Sequence, residues 1–426
     1  MENLNLKLGF IKRDRSITAS ILLSTSIVYA LTLTFFNISS LNTTLIGSQE
    51  NIDFIIILGY FLSLVAIYLG WYMNSIAMVA RNREFAIQLT AGLSKPKAFG
   101  LAAIQSLFIV SVSLFLGIII SLILTPLLGM LLNALTGLNF ITFGFSLIGF
   151  GLTLLIVAIQ TFVMILNNGG LFYRAEAIDI INLHKKEITS ETKNKPLLGI
   201  LSLIAALSIF AGYFYAKDLG PGIDLYKMVD VLSTTSFFGL IGLKVYGFPY
   251  FIDFLCRKKL LNKKLHLLTI KELSFSIKQS LSLLILVLLI PQLALLTFNG
   301  VALGLPTEIL TRVSLIFISL LITITIIFKL TLEGLNRLDS YKGLKNLGFS
   351  KEEILKIVKN KMILFTAYIL FLPLALGLVS LHLYSLAGPM NMMFIIPFLI
   401  VTLILGIIAV VIAHRIIKNN ILENLF

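Results

Sequence analysis

Long apolar blocks separated by short polar stretches run through the chain, and their length predicts membrane-spanning helices. A bilayer core takes about 20 apolar helical residues, and several blocks reach that length. In Ile104–Leu128, for example, Gln105 is nearly the only strongly polar residue. Ten helices are predicted, over 17–36, 54–77, 104–128, 141–166, 197–215, 228–255, 280–298, 313–327, 362–383 and 392–413. An open strand could not satisfy its backbone in lipid, so these blocks read as helices. The first block is long, and no small-residue cleavage site follows it, so a secretory signal peptide is not expected.

The polar connectors fall into two sets by charge. One set carries Lys7, Lys12, Arg13 and Arg15; Arg81, Arg83, Lys95 and Lys97; Arg174 to Lys195; Arg257 to Lys278; Arg337 to Lys361; and Arg415 with Lys418. The other set has only Lys217, Lys227 and Arg312. Basic loops stay in the cytoplasm, so both termini are expected there, which requires an even number of spans. Of the outer connectors, Asn37–Asp53 is the longest, while Gly300–Thr311 and Tyr384–Asn391 read as little more than turns. None has room for an extracytoplasmic domain.

Composition agrees with a chain held in a lipid bilayer. Hydrophobic residues make up 58% and charged residues 13%, against about 45–50% and about 25% in soluble domains. The formal charge of +14 would suggest nucleic acid in a soluble protein. Here the basic residues sit between spans and set topology, so no nucleic-acid partner is expected. Cys256 is the only cysteine, which excludes an intrachain disulfide. His184, His266, His382 and His414 are too scattered for a metal motif.

A short pattern occurs twice. Arg83-Glu84-Phe85-Ala86-Ile87 leads to Gly92-Leu93-Ser94-Lys95-Pro96, and Asp339-Ser340-Tyr341 leads through Lys345 to Gly348-Phe349-Ser350-Lys351. Each copy precedes a long apolar span. Gly92 and Gly348 are placed to supply the left-handed residue that ends a short helix. Ser94 and Ser350 are placed to cap the next one, and Ser350 with Glu353 has capping-box spacing. Pro96 falls in a first helical turn, where its missing N–H costs nothing. Each copy therefore predicts a helix–turn–helix elbow at the cytoplasmic face. The stretches Phe10–Ser16 and Phe275–Ser280 also echo each other, as apolar–basic segments suited to the membrane surface.

These residues resemble the FtsX-like permease domain of ABC transporters. Arg83-Glu84-Phe85-Ala86-Ile87 through Gly92-Leu93-Ser94 is similar to its usual pattern, whereas Asp339 and Ser340 depart from Arg-Glu in the second copy. The span arrangement, together with Ala177–Leu183 and Leu268–Ser274, resembles the BceB-like branch. That resemblance implies an all-α integral membrane fold with ten spans. Residues 1–166 would form one four-helix unit, 167–267 a cytoplasmic linker and two intervening helices, and 268–426 a second four-helix unit. The branch usually has a large outer domain between spans seven and eight, for which Phe298 to Arg312 leaves no room. The resemblance further implies that a separate cytoplasmic ATPase, acting as a dimer, docks on the elbows at Arg83, Glu84, Ile87, Gly92, Ser94, Lys95, Asp339, Lys345, Gly348, Ser350 and Lys351. ATP and Mg would bind that partner, and no cofactor is expected on this chain.

Gly343 to Gly348 has P-loop glycine spacing, but Phe349 stands where the lysine is needed, so no phosphate cradle is expected. Lys244 falls within the sixth block and must face protein or water if buried there. It reads either as a substrate or gating contact, or as a residue that snorkels or lies at a break near Pro249. Gln105, Gln160, Gln292 and Asn299 read as interhelical hydrogen-bonders. Four functions fit this chain. The first is an ABC permease subunit that exports or removes a membrane-active peptide or hydrophobic antibiotic, giving antimicrobial peptide resistance. The second is a mechanotransmitting subunit acting on a sensor histidine kinase or envelope partner. The third is a lipid or lipoprotein extractor. The fourth is an ATP-independent secondary transporter, disfavoured by the scarcity of acidic residues within the apolar blocks.

Overall fold

A computed structural model describes residues 15–47, 49–80, 82–141, 143–174, 196–220, 222–248, 264–278, 280, 283, 287, 305–387 and 395–425. Among them all regular structure is helical, the form that satisfies its own backbone in lipid. The helices are α1 (Arg15–Leu41), α2 (Thr43–Ile46), α3 (Gln49–Ala80), α4 (Asn82–Thr90), α5 (Lys95–Thr136), α6 (Leu147–Arg174) and α7 (Pro196–Leu207). They continue with α8 (Ala211–Leu219), α9 (Ile223–Gly242), α10 (Lys264–Lys278), α11 (Leu305–Asn336), α12 (Leu338–Asn346), α13 (Lys351–Ala387) and α14 (Ile395–Leu425). A 3-10 turn, Ser208–Phe210, joins α7 to α8, and a π turn, Leu243–Gly247, extends α9.

Nine described segments are long and apolar enough to cross a membrane. They match every expected span but the seventh, 280–298, which lies almost wholly outside the described residues. Several helices outrun the apolar blocks that announced them. The 42 residues of α5 extend about 63 Å, twice the ~30 Å hydrocarbon core. The expected outer loop Asn37–Asp53 is mostly helical, with α1 running to Leu41 and α3 starting at Gln49. The fourth span begins at Leu147 rather than Ile141. Asparagine side chains hold the preceding backbone instead: Asn42 Oδ1 accepts from Ile141 N at 2.7 Å, and Asn37 Oδ1 from Ser146 N at 2.7 Å. With Asn133 Oδ1 accepting from Phe140 N at 2.7 Å, these bonds replace helical ones along the stretch before α6.

Two compact units make up the chain: Met1–Lys186 with Ala302–Leu332, and Glu187–Val301 with Glu333–Phe426. In the first, α1 packs on α5 and α6, and α3 on α6. Helices in lipid gain nothing from burying apolar surface against one another, so small residues and polar pairs set their contacts. A Cβ on Gly117 would stand 3.0 Å from the Ser26 carbonyl, and one on Gly149 2.8 Å from that of Phe36. Thr25 and Ser113 hydroxyls meet at 2.5 Å. Asn74, Ser106 and Asn168 close a buried ring, with Asn74 Nδ2 donating to Asn168 at 2.9 Å, Asn168 Nδ2 to Ser106 at 3.1 Å, and Ser106 Oγ to Asn74 at 3.2 Å. The buried Gln160 amide packs over Gly70.

In the second unit α7 crosses α9 along glycines. A Cβ on Gly239 would stand 2.2 Å from Ala206 N, and one on Gly199 3.2 Å from Gly247 Cα. Gly334 near the end of α11 leaves room for Ile417 of α14, whose Cδ1 a Cβ would meet at 2.2 Å. Tyr384 donates its hydroxyl proton to Asp230, joining α13 to α9.

Candidate functional site

The two elbows form with the same backbone hydrogen bonds. Gly92 has φ +94° and Gly348 φ +89°. In the first, Leu93 N donates to Gln88 O at 3.0 Å and Gly92 N to Leu89 O at 3.1 Å. In the second, Phe349 N donates to Leu344 O at 3.2 Å and Gly348 N to Lys345 O at 2.9 Å. This is the Schellman pair, which satisfies the last carbonyls of α4 and α12. Ser350 then caps α13 in a full capping box: Glu353 N donates to its hydroxyl at 3.3 Å, and Ser350 N to Glu353 Oε2 at 2.8 Å. Ser94 departs from expectation. It has cap-like extended backbone but its side chain makes no capping bond. Pro96, two places on, has no N–H to offer one of the two positions a cap serves.

Each elbow helix seats one aromatic side chain, seven residues before its glycine. Phe85 and Tyr341 are both buried. Phe85 meets Phe172 edge-on at 5.1 Å, within a cluster that includes Met78, Ala98 and Ala102. Outward, Ile87 is 63% exposed on α4 and Leu347 76% exposed just past α12. Lys95, Ser94, Lys345, Ser350 and Lys351 are exposed, and Glu84 is half-buried in the first turn of α4. Arg83 and Asp339 take helical backbone in α4 and α12. Gly343 and its neighbours through Asn346 are helical, so the P-loop spacing there forms no phosphate-binding loop.

Beneath the second elbow lies a buried ion cluster that the sequence reading did not assemble. Lys361 on α13 donates to Glu333 of α11 at 2.7 Å and stands 3.4 Å from Glu272 of α10. Arg337 pairs with Glu272 at 2.9 Å and stacks its guanidinium 4.0 Å over the Phe275 ring. Ser276 donates its hydroxyl proton to Glu333. Two acids face two bases, so the group is neutral although both Lys361 and Glu333 are buried. Arg337 and Lys361, expected among the connector charges, join this cluster, Lys361 buried and Arg337 partly so. Ser276 and Ile277, expected along the membrane surface, are buried as well. Tyr341 sits against the cluster, and burial pushes its phenol up to about 12, so it stays protonated.

Arg337 is also the residue at which α11 ends and α12 begins. Its backbone makes the bend while its side chain joins Glu272. The ion pairs thus join the α11–α12 junction to α10 and, through Lys361, to α13.

Lys244 is buried in the π turn, and its Nζ donates to the Ser280 carbonyl at 2.8 Å. That carbonyl lies two residues past the end of α10. Lys244 thus faces protein through this contact. Ala177–Leu183, Gln292, Asn299 and Pro249 lie outside the described residues.

No curated protein matches the chain. Residues 56–168, which run from α3 through the first elbow into α6, match the family model described as FtsX-like permease C-terminal, so over that stretch the chain is similar to the membrane subunits of FtsX-like ABC transporters.

Proposed function

We propose that this chain is the permease subunit of an ABC transporter in the cytoplasmic membrane, with both termini inside. A separate dimeric ATPase docks on the elbows. Hydrolysis there drives removal or export of a membrane-active peptide or hydrophobic antibiotic. The observation that carries this reading is the repeated elbow. Two Schellman-closed elbows each present an exposed large apolar residue, and each feeds directly into an unusually long helix, α5 or α13. A short helix locked at its end passes a push along such a rod, which a flexible loop would absorb. The family match over 56–168 supports the same reading. A hydrophobic substrate suits a chain with so much apolar surface on its spans.

The substrate class is tested by deleting the chain from its host and challenging cells with a panel of membrane-active peptides. The deletion is expected to sensitise cells at least severalfold to one of them. The same sensitivity should follow from disabling the partner ATPase. Unchanged sensitivity across the panel would remove the peptide as cargo.

A further inference from the structure

A groove of about 710 Å³ runs between α13 and α14. One end is basic: Lys359, His414, Arg415 and Lys418 line it. Farther along, its walls are apolar, with Ile363, Phe371, Leu403, Ile407 and Val411 largely exposed to the groove and the surrounding medium. No acidic side chain lines it among the described residues.

We propose that this groove is a binding site for an anionic phospholipid. Its phosphate sits at the Lys359–Arg415–Lys418 end, and an acyl chain lies along the apolar walls. Charge and length both argue for this occupant. Basic side chains close to a bilayer surface attract anionic headgroups, each by about fivefold. Leu403 to Val411 spans about 12 Å of helix, close to the ~15 Å acyl depth of one leaflet. The basic end then falls at headgroup level. Gly406 lets the two helices close the groove floor, since a Cβ there would stand 2.2 Å from Leu370 Cδ1. The inference needs only membrane embedding and is independent of any ATPase.

The test uses the full chain reconstituted in vesicles of phosphatidylcholine with phosphatidylglycerol. Trp71 is the only tryptophan, so Trp71→Phe with Ile407→Trp leaves one reporter in the groove. Trp71→Phe with Ile408→Trp places a reporter on α14 outside it. Quenching by brominated phosphatidylglycerol is compared with quenching by brominated phosphatidylcholine. At Ile407→Trp the anionic lipid is expected to bind at least about fivefold more tightly, and at Ile408→Trp about equally. Lys359→Gln with Arg415→Gln and Lys418→Gln should abolish the preference. Equal quenching at the groove reporter would overturn the proposal, and so would a preference that survives loss of the three charges. A groove reporter that no lipid quenches would mean that protein, such as a second copy of the chain, covers the groove, and would overturn it equally.

Discussion

Lys361→Met is expected to cost about 3–5 kcal/mol of stability, the range for removing one partner of a buried ion pair. The substitution leaves the carboxylates of Glu272 and Glu333 beside one guanidinium in a site largely closed to water. The loss should appear as a marked fall in the temperature at which the detergent-solubilised chain stops eluting as a single species. Removing the pair together behaves differently. Glu333→Leu with Lys361→Met leaves Arg337 and Glu272 matched, so most of the loss should be recovered, because a buried pair and its apolar replacement are often close in energy. A single variant within about 1 kcal/mol of the parent, the range of a surface pair, would show that the cluster is solvated and not a buried joint.

Gly92→Val and Gly348→Val should each sever the link between ATP hydrolysis and cargo movement while the spans still insert. Both glycines have positive φ, and a Cβ at either would meet nothing within 4 Å. Any effect therefore comes from backbone strain, about 1–2 kcal/mol per residue forced into the left-handed region. That strain falls on the turn that locks α4 to α5 or α12 to α13. Asparagine tolerates this region far better than valine, so Gly92→Asn and Gly348→Asn should keep most function. The measurement is cargo-stimulated ATP turnover of the reconstituted complex, for which the valine variants should lose stimulation and retain basal turnover. Equal behaviour of valine and asparagine variants would mean that the left-handed turn is not what transmits the push.

These two sites were not equally legible in the sequence. An elbow is a local object: a glycine, a serine and a glutamate within a few residues state its turn, and the repeat states it twice. The paired aromatics were readable too, because Phe85 and Tyr341 stand at the same distance from their glycines, but a single aromatic among apolar residues draws no notice. The ion cluster is different in kind. Glu272 and Lys361 come from helices far in sequence from Glu333 and Arg337, and counting basic residues for topology makes no distinction between a loop lysine and one folded back onto a carboxylate. Apolar length found most spans but misplaced their ends, because helices continue past the hydrocarbon core. At Ile141 the apolar run misled for another reason: Asn37 near the end of α1 and Asn42 just past it supply backbone partners from far along the chain. Ser94 stands at the right position to cap, but Pro96 leaves one of the two positions a cap serves without an N–H. The ring of Asn74, Ser106 and Asn168 was hidden because each residue alone is an ordinary polar interruption of a span.

One measurement tests directly whether the elbows dock an ATPase. The tagged chain is purified in mild detergent from its native membrane, and vanadate-sensitive ATP hydrolysis is measured alongside the polypeptides retained. Wild type should carry an ABC ATPase and its activity. Ile87→Arg with Leu347→Arg, which places a charge on each exposed elbow face, should lose both while the chain itself remains in the membrane at near-normal level. An ATPase retained equally by the double variant, or none retained by the wild type, would contradict the docking role and the transporter assignment that rests on it.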